Sequence, residues 1–307
     1  MISKKKQLMP LITLNSNPCW IIVVFFEPDQ SCQKFWLAIA QEHNIIIIDN
    51  SANYSTSREL EKSAQYTFHN ANKGGIAGAL NQGLTYIRDH GLSEWCCLFD
   101  QDSRPSFSFF SSMLNQISLI NEKDKVALCA PVYYETNLQK IADVIEITNN
   151  KLKRHKYSDI KDLNIVNATY TITSGSVINL SAWDAIGHYD EALFLDFVDI
   201  EWGMRASSIG YKIIVFPRII MQHTLGDNPI KLWFYTFPNH SSKRHYLYFR
   251  NVFLMIKKRH VFLSWKKKEL IKLIPRIFIY SFFSKNNINN IRSIFLGMFD
   301  GLKFLKR

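Results

Sequence analysis

The chain has 307 residues, of which 47% are hydrophobic and 14% aromatic, and its 37 Lys+Arg outnumber 26 Asp+Glu for a formal charge of +11. That apolar content excludes a disordered or low-complexity protein, and the length suits one large α/β domain or two smaller ones.

Met1–Leu14 carries three lysines but no apolar core, so it does not read as a signal peptide. Trp20–Phe26 is a continuous apolar, β-branched run and predicts a buried strand. A helix over Ser31–Glu42 follows, with Phe35, Trp36, Ile39 and Ala40 on one face, then a second buried strand over Ile45–Ile48 ending in Asp49-Asn50-Ser51. A helix near Ser57–Gln65, a short strand at Tyr66–Asn70, a helix over Lys73–Gly91 and a strand at Trp95–Phe99 complete the first half. Strands alternating with helices predict a mostly parallel sheet flanked by helices. Strand signals recur at Ala130–Tyr134, Val144–Thr148 and Lys212–Phe216, and helix signals at Ser181–Ile186 and within Asp196–Gly210. Lys151–Asp162 reads as a polar loop or excursion, and residues after Gly226 as long helical segments. The five cysteines form no CxxC pair or disulfide framework, which fits a reducing compartment.

Three of the strands end in carboxylates, Glu27, Asp49 and Asp100, at the edge where open α/β sheets bind ligands. Asp100 and Asp102 lie two residues apart after a buried strand and would project to one side of an extended segment. Like charges so placed repel unless a cation separates them, and a hard ion such as Mg²⁺ or Mn²⁺ would also bridge a diphosphate. A helix starting near Asp199 would pair Glu201 with Arg205 and set Asp199 in its first turn as a potential general base. Asn72-Lys73-Gly74-Gly75 opens another helix in a way suited to an anion or ligand, but it matches neither GxGxxG nor a P-loop, which disfavours NAD and P-loop ATP binding.

Taken in order, these pieces, with Ser174-Gly175-Ser176, His223-Thr224-Leu225-Gly226 and Arg244–Asn251, resemble glycosyltransferase family 2, the inverting GT-A transferases, and within it the bacterial rhamnosyltransferase branch. The resemblance covers about Trp20 to Asn251. It implies a GT-A catalytic domain over 1–230, with a donor half near 18–125 and an acceptor half near 126–230, and a helical extension over 231–307. It implies that Asp49 accepts the N–H of a pyrimidine base, and that Glu27, Asn72, Lys73, Gly75 and Asp100 border the donor. Asp100 and Asp102 would hold the metal and diphosphate, with His223 completing the set, and Arg244 and Arg250 would neutralise the leaving diphosphate. Asp199 would deprotonate the acceptor hydroxyl, with Asp196 or Glu201 as substitutes and Trp202 beside them on the acceptor side; Val198 stands where the family often has Glu. The implied donor is a nucleotide sugar, dTDP-L-rhamnose first and UDP-galactofuranose as an alternative. The implied acceptor is a lipid-linked glycan of surface polysaccharide (O-antigen or capsule) biosynthesis.

The charge is not shared along the chain: residues 1–230 have a net −4 and residues 231–307 a net +15, with Glu269 and Asp300 the tail's only acids. Such a tail fits an anionic partner. Without a helix-turn-helix, zinc-finger or RNP pattern, nucleic acid is the weaker reading. Apolar residues of Phe249–Ile256, Leu270–Ile279 and Ile294–Phe304 beside basic runs fit helices lying in a membrane interface, so a peripheral position on the inner face of the bacterial membrane is expected. A binding-only member of the fold is the third reading, opposed by Asp100, Asp102 and Asp199.

Overall fold

The computed structural model describes residues 20–137, 139–223, 227–232, 235–284 and 287–306. Cys19 and Thr224-Leu225-Gly226 of the motif above lie outside these. The first half follows the alternating pattern: β1 (Trp20–Phe25), α1 (Gln30–Glu42), β2 (Ile45–Asp49), α2 (Arg58–Ser63), β3 (Tyr66–His69), α3 (Gly75–Asp89), β4 (Trp95–Asp100) and α4 (Phe107–Ser118). These four strands pair in parallel in the order β3-β2-β1-β4. Every residue of β1 and β2 is buried, as continuous apolar strands covered on both faces require.

Beyond β4 the sheet becomes mixed. The strand β5 (Val126–Glu135) is followed by β6 (Lys140–Ile141), β7 (Val144–Thr148), β8 (Lys151–His155), the single turn α5 (Tyr157–Ile160), β9 (Val166–Ala168) and β10 (Ser176–Asn179). The strand β10 inserts antiparallel between β4 and β5. Next come α6 (Leu180–Ile186), α7 (Val198–Ser208) and β11 (Lys212–His223), which pairs in parallel with β5 and antiparallel with β9. The stretch read as a polar excursion is instead half of a hairpin, β7 with β8, whose alternating charged residues face outward. Likewise, residues after Gly226 do not go straight into helix: β12 (Asp227–Leu232) and β13 (Tyr235–Asn239) pair antiparallel first.

The tail then forms α8 (Ser242–Lys257), α9 (Leu263–Phe282) and α10 (Asn287–Lys306). A small core of Phe249, Val252, Phe253, Leu273, Ile279, Tyr280 and Ile294 holds these helices together. Met255, Val261 and Trp265 belong instead to the main core, so the helical layer is seated on the sheet domain. Gly297 and Gly301 of α10 lie against the backbone of α8 at Tyr246 and Arg250, close enough that a side chain at either would overlap it.

Candidate active site

The carboxyl ends of β1, β2 and β4 open into a cleft of about 540 Å³ lined by Asn50, Asn72, Asp100, Gln101, Asp102, Phe194, His223, Lys243 and Arg244, among others. Asp100 closes β4 and Asp102 lies in the turn after it, so a turn, not strand alternation, brings the pair into the cleft. Ser174 braces that turn: its hydroxyl accepts from the Asp100 N–H at 3.1 Å and bonds the Ser103 hydroxyl, while Ser103 N–H donates to Asp100 O at 3.1 Å. The Ser-Gly-Ser motif thus works from beneath the site.

Burial, then the charges of Asp102 and Asp199, push the Asp100 carboxyl up to about 7, with Arg244 opposing. The carboxylates therefore hold negative charge that the protein does not fully compensate. Two hard oxygen donors facing a cleft are of the type that would suit a divalent cation. Among the described residues no group of three or more His, Cys, Asp or Glu is arranged to cage a metal. His223 lines the cleft at the end of β11, stacked edge-on to Tyr133 and held below its usual pKa by burial, but it does not complete such a group.

Asp199 lies in the first turn of α7 and faces a separate, mostly apolar pocket of about 140 Å³ formed with Tyr133, Ile145, Tyr170 and Ile172. Its Oδ1 accepts from Ile200 N–H at 2.8 Å, yet burial raises the carboxyl to about 6. A carboxylate poised there is suited to accept a proton near neutral pH. The chain thus sets a paired-carboxylate cleft beside a pocket lined by Asp199 and, at its Ala142–Ile145 side, Asp143, close enough for Asp100 and Asp199 to feel each other's charge.

Residues 19–179, just over half the chain, match the family described as "Glycosyl transferase family 2". The chain belongs to that family. A curated relative, the dTDP-rhamnosyl transferase RfbF of Shigella flexneri, is 27% identical over 293 residues, covering 94% of this chain and 97% of that protein. Among solved structures, GalNAc-T7 with UDP, GalNAc and Mn²⁺ aligns with a TM-score of 0.52 at 13% identity over 88% of this chain; the aligned part spans 58% of the GalNAc-T7 chain. Residues 1–349 of S. aureus TarS align with a TM-score of 0.51 at 12% identity, covering 92% of this chain and 81% of that one. These likenesses carry the GT-A fold.

Several expected donor contacts of the transferase are corrected by its structure. Asp49 is fully buried, with its oxygens filled by the N–H groups of Ser51, Ser55 and Thr56 and by the Ser55 and Thr56 hydroxyls. It organises the 51–56 turn and has no oxygen facing the cleft for a base N–H. The cleft-lining polar groups at that corner are Asn50 and Asn72, joined at 3.3 Å. Glu27 is exposed, does not line the cleft, and donates its N–H to the Ser51 hydroxyl at 2.7 Å.

Of the glycine turn only Asn72 borders the cleft. Lys73 is exposed and engages Asn70 through its carbonyl. Gly75 is buried at φ 62, and a Cβ there would overlap the Phe194 carbonyl, which accepts from Ile76 N–H at 2.8 Å. The glycines serve close docking of α3 on the 190–197 loop.

On the acceptor side, Glu201 is fully buried in a cluster with Arg205 (3.1 Å), Lys258 (3.5 Å) and His260 (2.7 Å), which hold its carboxyl below the usual range. It is an anchor for α7 and not a base. Trp202 is also buried, donating to Gly187 O at 2.9 Å. Asp196 pairs with Arg244 at 3.2 Å and lines neither pocket. Arg244 does line the cleft, but Arg250 does not; it donates to Ala192 O at 2.7 Å.

The sequence reading passed over Lys243, Tyr133 and Phe194. Lys243 is one of several lysines in a basic tail, and nothing marks it until α8 places it at the cleft, 5.5 Å from the Phe194 ring centroid. Phe194 and Phe197 hold left-handed backbone at φ 66 and 71, which costs about 1–3 kcal/mol each.

Proposed function

We propose that the chain is an inverting rhamnosyltransferase that moves L-rhamnose from dTDP-L-rhamnose to a hydroxyl of a lipid-linked glycan in surface polysaccharide synthesis. The observation that carries the chemistry is the pairing of Asp100 and Asp102 in one cleft with Asp199 in the neighbouring pocket. The relative named for dTDP-rhamnosyl transfer, matched over nearly its whole length, supports the donor. Asp199 takes the acceptor proton as its oxygen attacks the anomeric carbon from the side opposite the diphosphate; the C–O bond to dTDP breaks and the sugar inverts. Arg244 and Lys243 supply positive charge along the cleft for the leaving group. Asp100 and Asp102 would hold Mg²⁺ or Mn²⁺, which supplies Lewis-acid neutralisation of the diphosphate when bound. Asn50 and Asn72, which line the cleft near Asp49, would offer the base its amide hydrogen-bonding groups. A titration of purified protein with dTDP-rhamnose, UDP-galactofuranose and other UDP sugars tests the donor: dTDP-rhamnose should bind at least about tenfold tighter, a difference of about 1.4 kcal/mol. Preference for a UDP sugar would replace it.

We further propose that α9 and α10 lie on an anionic membrane at the cytoplasmic inner face. No described helix is long and apolar enough to cross a membrane. Ile271 (72% exposed), Ile274 (76%), Phe278, Phe282, Ile288 (84%), Phe295 and Phe299 form an apolar stripe over both helices. Exposed lysines and arginines border it at Lys267, Arg292 and Lys303, and both tail acids are ion-paired. A second copy would bring like charges together, whereas anionic lipid complements them. In flotation with phosphatidylglycerol vesicles the wild type should rise with the lipid. Ile274→Glu with Phe278→Glu should bind at least tenfold more weakly, since each side chain forfeits roughly 1.5–3 kcal/mol of apolar burial. Unchanged flotation would refute the docking face.

A further inference from the structure

The segment from Asp190 to Phe197 is a loop with two neighbours that matter. On one side Phe194 and Leu195 form part of the wall of the donor cleft, and Phe194 O receives the Ile76 N–H from the start of α3. On the other side the chain runs directly into α7, two residues before Asp199. Whatever fixes this loop fixes the spacing between the donor wall and the base.

Besides α3, which holds the loop through Ile76 N–H and through Asn81 at 3.1 Å from Glu191, the tail grips it. Asn251 of α8 is fully buried, and its side-chain amide donates to Leu193 O at 2.6 Å and to Asp196 O at 2.9 Å. Its Oδ1 accepts from Arg250 Nε at 3.0 Å and Nη2 at 2.8 Å. An asparagine amide has two donors and two acceptor lone pairs, so all four are engaged. Arg250 reaches on to Ala192 O at 2.7 Å, so three carbonyls of one short loop, those of Ala192, Leu193 and Asp196, are gripped from α8. Arg244, one face along the same helix, bonds the Asp196 carboxylate at 3.2 Å while lining the cleft. The left-handed backbone at Phe194 and Phe197 needs such a grip to persist.

We propose that Asn251, supported by Arg250, is a positioning residue for sugar transfer: it clamps the Asp190–Phe197 loop so that the donor wall and Asp199 keep one fixed geometry. It touches neither substrate nor reacting atoms. This rests on Asp199 as the base, but the donor-wall half does not.

The test is Asn251→Asp, nearly isosteric but with acceptors where two carbonyls require donors, alongside Arg250→Lys, which keeps the charge and shortens the fork. Both are compared with wild type in full-length protein for dTDP-rhamnose affinity, for kcat, and for the ratio of transfer to donor hydrolysis. A loosened loop should weaken donor affinity about tenfold in Asn251→Asp, lower kcat by about 10²-fold as a misplacement near 1 Å does, and shift the ratio toward hydrolysis; Arg250→Lys should move all three in the same direction by less. Loss of folded protein alone would scale kcat and leave affinity and ratio unchanged. If Asn251→Asp does not fold, Arg250→Lys carries the test. Folded variants with wild-type affinity and ratio overturn the proposal. If Asp199→Asn retains transfer, it is the base assignment that fails, while the affinity change still reports on the clamp.

Discussion

Asp199→Asn is expected to lower kcat by about 10²–10⁴-fold, the usual worth of a positioned general base, with donor affinity close to wild type. The amide keeps the shape of the side chain in its pocket with Tyr133 and Tyr170 but has no basic oxygen to take the acceptor proton. At saturating Mg²⁺ or Mn²⁺, where cation binding through Asp100 no longer limits the rate, the pH profile supplies a second reading. Burial raises the carboxyl to about 6, so the base is increasingly protonated as pH falls through that value, and kcat/KM should decline on an acidic limb near 6. Stability moves the other way. A carboxyl with a raised folded-state pKa favours its protonated form, so the native state loses stability as pH rises from the unfolded value through 6. The neutral amide is spared that loss, and Asp199→Asn should melt no lower than wild type at pH 7. Activity loss with undiminished Tm separates a catalytic from a structural residue; wild-type turnover in the variant would end the assignment.

Asp102→Asn is expected to lower kcat/KM by at least about 10²-fold, since charge neutralisation at a diphosphate is worth several kcal/mol and each 1.36 kcal/mol is a factor of ten. The variant should also need far more Mg²⁺ or Mn²⁺ for half-maximal rate. Asp102 is exposed in the cleft, and among the described residues its carboxylate makes no hydrogen bond or ion pair, so the variant's stability should hardly change. Asp100 adds a pH signature. Its carboxyl is raised to about 7 by burial and by Asp102 and Asp199, and a cation must displace that proton to bind. Cation affinity of the wild type should therefore weaken progressively below pH 7, up to about tenfold per unit, as calorimetry with Mn²⁺ would measure. A wild-type rate insensitive to EDTA, with an undiminished rate in Asp102→Asn, would remove the cation from the reaction.

Much of this site is legible along the chain because its parts are local. A β-branched run buried on both faces forms a strand wherever it sits, so β1, β2 and β4 follow from Trp20–Phe26, Ile45–Ile48 and Trp95–Phe99. In a parallel sheet their carboxyl ends share one edge, which places Asp100 and Asp102 at a ligand cleft before any coordinates are known. The helical start at Asp199 and its Glu201–Arg205 pair are likewise matters of spacing.

What spacing does not carry is how a polar group's bonds are spent. Asp49 and Asp102 are both acids beside strand ends; one is saturated by its own turn and the other faces the cleft, and only the 51–56 fold-back decides which. Arg244 and Arg250 sit on one helix six residues apart, yet the first reaches the donor cleft and the second grips Ala192. The charge split of −4 and +15 told of two regions with different surfaces. It did not tell that α8 of the basic region would supply Lys243 and Arg244 to the acidic region's cleft and Asn251 to its loop. Composition, strand identity and the position of Asp100, Asp102 and Asp199 at strand and helix ends are properties of short segments, and the sequence by itself determined them. Which polar groups are satisfied, and which are left facing the cleft, depends on how the chain folds back, locally at Asp49 and, for Asn251 and Leu193, across more than fifty residues. Only the tertiary structure decided that, because a hydrogen bond between distant residues exists only once the chain has brought them together.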